Sequence, residues 1–173
     1  MSSSFIAPAR SKSEIIKSAD KLRERFNLAN NLYFPIVEFA EIVLQKIDDE
    51  YSFEVCEKHE MIDKYAQYNP ISKVMTVRQD VYTQAIEGDG RARFTIAHEV
   101  AHYMLHSSGL ALARGNCEIK IYQDPEWQAN VFASELLMPS YLIENMSAVD
   151  VAIQCQTSYQ AAQIALSNVK KIS

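Results

Sequence analysis

The chain has 173 residues, is 48% hydrophobic and 23% charged, and holds only 4 Gly and 5 Pro; this fits one globular domain with its own core and excludes a linker-rich or low-complexity protein. A net charge of −5 excludes general attraction to nucleic acid or an anionic membrane, since the best candidate for a local basic patch, Arg91 and Arg93, is only two residues. No stretch approaches the ~18 apolar residues of a membrane span, Met1 to Pro8 lacks the order of a secretory signal, and Cys56, Cys117 and Cys155 are odd in number and unclustered, so a cytoplasmic protein with small buried thiols is expected.

Residues 1–10 read as a flexible arm, followed by a main domain over 11–145 and a C-terminal helical extension over 146–173 packed on it. Ile15, Ile16, Ala19, Leu22 and Phe26 recur at helical spacing from Ser11 onward. Pro35 opens a second helix with Ile36, Phe39, Ala40, Val43, Leu44 and Ile47 facing inward. The period then becomes two at Tyr51, Phe53 and Val55. A short extended segment at 65–68, a turn at Asn69-Pro70 and a returning strand at 73–78 predict a small antiparallel sheet. A short helix follows over 80–86. Gly88-Asp89-Gly90 then breaks the chain before a strong helix over 91–106, which Gly109 ends in a left-handed conformation. Residues 110–117 read as a loop and 118–122 as a strand. Asp124-Pro125-Glu126 starts the next helix with a cap, a first-position proline and a first-turn acid; that helix stops at Pro139. Short helices near 141–145, 148–154 and 158–170 complete an α+β, mainly helical chain.

The chemistry concentrates on the helix over 91–106. Residues four apart share a helix face, so His98 and His102 can present two imidazoles to one metal ion, and Glu99 projects beside them within reach of a water on that ion. The HExxH pattern needs a true helix. Phe94, Ile96, Ala97, Val100, Ala101, Met104 and Leu105 supply the periodicity, uninterrupted by Pro or Gly. A catalytic zinc takes three protein ligands and keeps one position open. Glu126, 24 residues after His102, is a candidate third ligand at the start of the next helix; one turn later, Asn130 is placed to hydrogen-bond a ligand imidazole. Asp124 competes with Glu126, but suits capping better. The set suits zinc, and manganese could also enter it.

The run from Arg93 to His106, RFTIAHEVAHYMLH, and the run from Glu126 to Pro139, EWQANVFASELLMP, together resemble the two signature blocks of ImmA/IrrE metallopeptidases, in the same order and separation. The double match is far more specific than HExxH alone. It departs from the family where Ala101 replaces a frequent Gly, a change that preserves helix propensity. The resemblance implies zinc held by His98, His102 and Glu126, Glu99 as general base, and a gluzincin-like core with a short antiparallel sheet beside the motif helices. It further implies a protein substrate: a helix-turn-helix repressor or antitoxin whose cleavage switches on stress-response or mobile-element genes. Longer relatives carry a sensory domain after the peptidase; this chain leaves no room for one, so sensing is expected in a partner or within the peptidase itself.

Other residues have plainer readings. His106 and Tyr103 are candidate donors to an oxyanion, but His106 reads better as a helix-end residue near the last carbonyls and Tyr103 as packing. Arg91 and Arg93 could grip an acidic substrate, though an ion pair or solvated helix start fits better. The tail pairs a stripe of Val149, Ala152 and Ile153 with a stripe of Ala161, Ala162, Ile164, Ala165 and Val169 around a Gln156-Thr157-Ser158 turn, like a helix-turn-helix. It lacks basic residues at the start of its second helix, so core packing or protein binding is expected rather than DNA reading. The competing functional class is a non-catalytic interaction protein that keeps the peptidase fold to bind a repressor or antitoxin. The intact Glu99 argues against it, because a structural metal site needs no base.

Overall fold

The computed structural model describes residues 5–112 and 119–170. In chain order these form β1 (Phe5–Ile6), α1 (Lys12–Arg25), α2 (Ile36–Glu38) running through a π-helical turn (Phe39–Val43) into α3 (Leu44–Ile47), β2 (Ser52–Cys56), β3 (Ala66–Asn69), β4 (Val74–Arg78), α4 (Gln79–Ile86), α5 (Gly90–His106) and β5 (Ala111–Leu112). A 3-10 turn (Ile121–Gln123), α6 (Pro125–Leu137), α7 (Ser140–Ile143), α8 (Ala148–Cys155) and α9 (Tyr159–Lys170) follow. The fold is α+β and mainly helical.

Local chemistry explains the helix ends. Ser11 and Glu14 close a reciprocal capping box at α1. Asp89 accepts from the Ala92 amide to start α5, and Asp124 accepts from the Glu126 amide to start α6. Gly109, at φ +96°, turns the chain out of α5 and donates its amide to the His106 carbonyl. The π-helical turn alters the facing of the second helix, so Ile47 ends half-exposed rather than inward.

The sheet is mixed, where an antiparallel one was expected. β3 and β4 form the predicted hairpin, its turn held by Asn69 Oδ1 accepting from the Ile71 and Ser72 amides. β4 then lies in the middle, and β2 joins its far side in parallel register, Ser52 opposite Val74. Two-residue periodicity marks a strand but not the direction of its partner. Met75 and Val77 of the central strand are fully buried, and β3 is left as an edge.

The core sits between the sheet, α1 and the α5–α6 pair. Small residues meet where α5 and α6 cross: Ala97 and Ala101 on one, Ala129 and Ala133 on the other, all fully buried beside Val100, Phe132 and Leu136. Two buried arginines tie distant segments together. Arg93 donates to the carbonyls of Phe34 (2.8 Å) and Gln156 (3.0 Å) and to the Tyr33 hydroxyl. It is therefore an internal brace, neither a substrate grip nor a solvated helix start. Arg23 donates to the Leu136 and Asn31 carbonyls.

Residues 5–10 do not hang loose. β1 pairs with β5, Ala7 is buried, and the amides of Ala7 and Arg10 donate to the carbonyls of Gln123 and Tyr122. Those carbonyls belong to the 3-10 turn that stands over the end of the strand read at 118–122; Ile119 and Lys120 have no regular structure, and residue 118 lies outside the described residues, as does Cys117. Cys155 is a buried free thiol and Cys56 a half-buried one. In the tail, Val151 and Cys155 of α8 and Ala162 and Ala165 of α9 face inward, while Val149 and Ile153 face solvent, so the inward stripe of α8 lies off the one read from the sequence.

The turn between α8 and α9 sits against the N-terminus of α5. A Cβ on Gly90 would overlap the backbone of Thr157 and Ser158. Gly90→Ala should therefore lower the unfolding free energy by about 1–3 kcal/mol. Urea denaturation checks this, and an unchanged midpoint would show that the turn is not seated there.

Candidate metal centre

The α5–α6 crossing brings together the three groups singled out by the sequence. His98 and His102 lie one turn apart on the cleft-facing side of α5, and Glu126, in the first turn of α6, faces both. His98 Nε2 is 3.0 Å from Glu126 Oε2 and 3.0 Å from His102 Nε2; His102 Nε2 is 3.3 Å from Glu126 Oε1. The donor atoms of the three residues lie within 4.8 Å of one another. Asp124 caps α6 instead of joining them.

The polarity of these contacts shows what they fit. His98 Nδ1 lies 3.0 Å from Asn130 Oδ1, an acceptor, so His98 carries its hydrogen on Nδ1 and its lone pair on Nε2. If His102 is likewise neutral with a bare Nε2, two nitrogen lone pairs and two carboxylate oxygens face one another with no hydrogen between them. Such a cluster is repulsive until a cation occupies it, and nitrogen and oxygen donors in this arrangement suit zinc. Asn130 thus stands where the sequence reading put it, against a ligand imidazole.

Without a metal ion, a proton on an imidazole takes the cation's place between the rings and the carboxylate. Burial works against charge on His98, but the Glu126 hydrogen bond and the charges of Glu99 and Glu126 outweigh it and raise its pKa. The hydrogen bonds from His102 and His98 hold Glu126 far below the usual carboxylate range. Burial pushes Glu99 upward, against the pull of His102 and of the Tyr68 amide. That amide donates to Glu99 Oε2 at 2.7 Å, from the outer edge of β3. Glu99 is therefore fixed beside the histidines on the wall of a cleft of about 780 Å³, which Tyr65, Tyr68, Ile71, Thr95 and Leu110 also line.

Neither candidate oxyanion donor serves. The Tyr103 hydroxyl donates to Asp48 at 3.0 Å, and its ring packs edge-on against Tyr51 and Tyr68, so it is a packing residue as read. His106 is 2% exposed, and both its ring nitrogens are engaged: Nδ1 is 3.1 Å from His102 Nδ1 and Nε2 is 3.0 Å from Gln128 Oε1. It does not cap the helix end. Burial lowers its pKa to about 4. The sequence did carry a signal for His106, four residues beyond His102 on the same face. It carried none for Gln128, which lies two positions from Glu126 and so projects from a different side of α6, nor for the Tyr68 amide, a backbone group.

In the metal-free protein, Glu126→Gln removes the negative charge that favours the His98 imidazolium. His98 should then titrate at lower pH than in the unsubstituted protein, as followed by NMR of the ring protons; an unchanged or higher titration would remove Glu126 as its partner.

Comparison with known proteins adds an independent finding. The family model for the IrrE N-terminal-like domain, peptidase family M78, matches residues 63–161, from the segment before β3 into α9. No curated protein matches the chain. The matched segment covers more than half of the sequence and contains His98, Glu99, His102 and Glu126, so the chain belongs to the IrrE N-terminal-like domain family of metallopeptidases.

Proposed function

We propose that the protein is a zinc-dependent endopeptidase of the cytoplasm, with His98, His102 and Glu126 as metal ligands and Glu99 as general base. The observation that carries this reading is the convergence of two imidazole nitrogens and one carboxylate on a common point, with a second, partly buried carboxylate beside them at the cleft wall. A structural site would have no use for that fourth group. Zinc, when bound, acidifies a water and polarises the scissile carbonyl.

The chain's own residues then have separate tasks. His98, held by Asn130, and His102 keep their Nε2 lone pairs aimed at one point, and Glu126 supplies the negative charge opposite them. Glu99 takes the proton of the attacking water and returns it to the leaving amine. Its burial favours the protonated form it must reach midway, while the Tyr68 amide keeps one oxygen in place. β3 leaves its outer backbone edge along the cleft, so an extended substrate chain can lie beside it as an added strand.

The substrate class proposed here is the one that the resemblance to ImmA/IrrE metallopeptidases implies, a helix-turn-helix repressor or antitoxin, cut to switch on stress-response or mobile-element genes. A cleft open along an edge strand supports a polypeptide substrate rather than a small molecule. Direct nucleic-acid binding is not part of this reading, given the net charge of −5. Among the described residues no helix is long and apolar enough to cross a membrane.

Glu99→Gln should retain full zinc content by elemental analysis while cleavage of a cognate repressor falls about 10²–10⁴-fold. Cleavage at the unsubstituted rate would take the base role from Glu99. A stable, uncut and zinc-independent complex between the unsubstituted protein and the repressor would favour the non-catalytic binding protein instead.

A further inference from the structure

We propose that His106 and Gln128 are positioning residues that set the tautomer of His102 through a directed hydrogen-bond relay anchored on the backbone carbonyls of Pro8 and Tyr122. The inference rests on the reading of His102 as a metal ligand, and adds what makes it one.

The relay can be read from its far end. Gln128 Nε2 lies 2.8 Å from the Pro8 carbonyl oxygen and 2.8 Å from the Tyr122 carbonyl oxygen. Carbonyls only accept, so this end of the side chain is its NH2 group, with both hydrogens used. The other end, Oε1, faces His106 Nε2 at 3.0 Å and can only accept, so His106 carries its hydrogen on Nε2. A neutral imidazole protonated there has a bare Nδ1. That nitrogen lies 3.1 Å from His102 Nδ1, which must therefore donate. The His102 hydrogen is thus placed on Nδ1, and its lone pair on Nε2, the atom 3.0 Å from His98 Nε2 and 3.3 Å from Glu126 Oε1.

Among the described residues, the partners of Gln128 and His106 are those of the relay. Gln128 is 0% exposed and His106 is 2% exposed, so bulk water does not reach them. Reversing the Gln128 amide would turn its oxygen onto two carbonyl oxygens. Reversing the His106 tautomer would set its bare Nε2 against the Gln128 oxygen, two acceptors with no hydrogen between them, and turn its Nδ1–H toward His102. The two ligand imidazoles are therefore held by different devices. His98 leans directly on an amide oxygen of α6, Asn130. His102 leans on another histidine, whose orientation is set by an α6 glutamine and, through it, by the N-terminal segment. Outer-shell partners of this kind fix both the tautomer and the direction of a ligand ring.

The test uses the full-length protein and does not depend on knowing the substrate. Side-chain ¹⁵N NMR on the zinc-free protein, at alkaline pH where the rings are neutral, should show His102 protonated on Nδ1 and His106 on Nε2. A His102 hydrogen on Nε2, or a His106 hydrogen on Nδ1, overturns the relay. His106→Phe keeps the ring volume and removes the acceptor. It should weaken zinc binding by about 10–100-fold in competition with a chelator and move the His102 hydrogen to Nε2, while His98 keeps its Nδ1–H. Unchanged zinc affinity in a folded His106→Phe protein also overturns it. The measurement on the unsubstituted protein decides the matter even if that variant fails to fold. The two readings fail separately: zinc binding lost by His98, His102 and Glu126 variants but with the wrong tautomers sinks the relay alone, whereas zinc that binds elsewhere or not at all sinks the metal site while the ring assignments remain readable.

Discussion

The register of α6 against α5 is the constraint on which everything else depends. HExxH supplies two imidazoles on one helix face, but two ligands do not make a catalytic site. The proposed third ligand, Glu126, comes from a separate helix, and a slip of one residue would move it by about 1.5 Å and rotate it by about 100°. The crossing leaves little freedom to slip. Ala97 and Ala101 meet Ala129 and Ala133 with no exposed surface, and Phe132 and Leu136 fill the space beyond. Side chains this small bring the helix backbones close, and close packing punishes displacement. Asp124 and Pro125 fix where α6 begins, so Glu126 enters the cleft from the first turn rather than from mid-helix.

Holding three acceptor groups together opposes folding in the absence of a cation. The protein sets against it a buried core on both sides and two arginine braces, Arg93 and Arg23, that gather carbonyls from separate segments. A ligand that binds only the folded state shifts stability in its favour. A metal ion held by the proposed ligands would therefore tie its occupancy to the integrity of the α5–α6 crossing, and not only to chemistry in the cleft.

Much of this was legible in the sequence, for reasons that are local. Helices α1, α5 and α6 announce themselves through capping residues and apolar periodicity, both decided within a few residues. The ligand spacing on α5 follows from helix geometry, and Asn130 follows from Glu126 by one helical turn. What was not legible depends on partners distant in the chain. Strand periodicity at 52–56 cannot state that its neighbour runs parallel. Val149 and Ile153 match a helical stripe as well as Val151 and Cys155 do, and the surface they meet decides which pair is buried. Arg93 looked like a surface cation because nothing near it in sequence shows that the Phe34 and Gln156 carbonyls converge on it. His106 lay on the right face, but its role required knowing that Gln128, from an unrelated face of α6, would meet it.

The same distance effect separates the unit that resembles a family from the unit that works. The family match begins at residue 63, yet the supports of the site do not. Pro8 receives one hydrogen of the Gln128 amide, and the amides of Ala7 and Arg10 hold the 3-10 turn whose Tyr122 carbonyl receives the other. Arg23 of α1 holds the Leu136 carbonyl near the end of α6. Ala40, ahead of the sheet, accepts from the Tyr51 hydroxyl, and Asp48 accepts from Tyr103, which stands directly after His102. Residues 5–62 thus support the proposed metal ligands through backbone carbonyls and buried polar side chains, groups whose positions depend on the fold rather than on residue identity at any one place. A signature built on recurring side chains locates the proposed ligands. The order of hydrogens proposed behind them depends also on residues outside the matched segment.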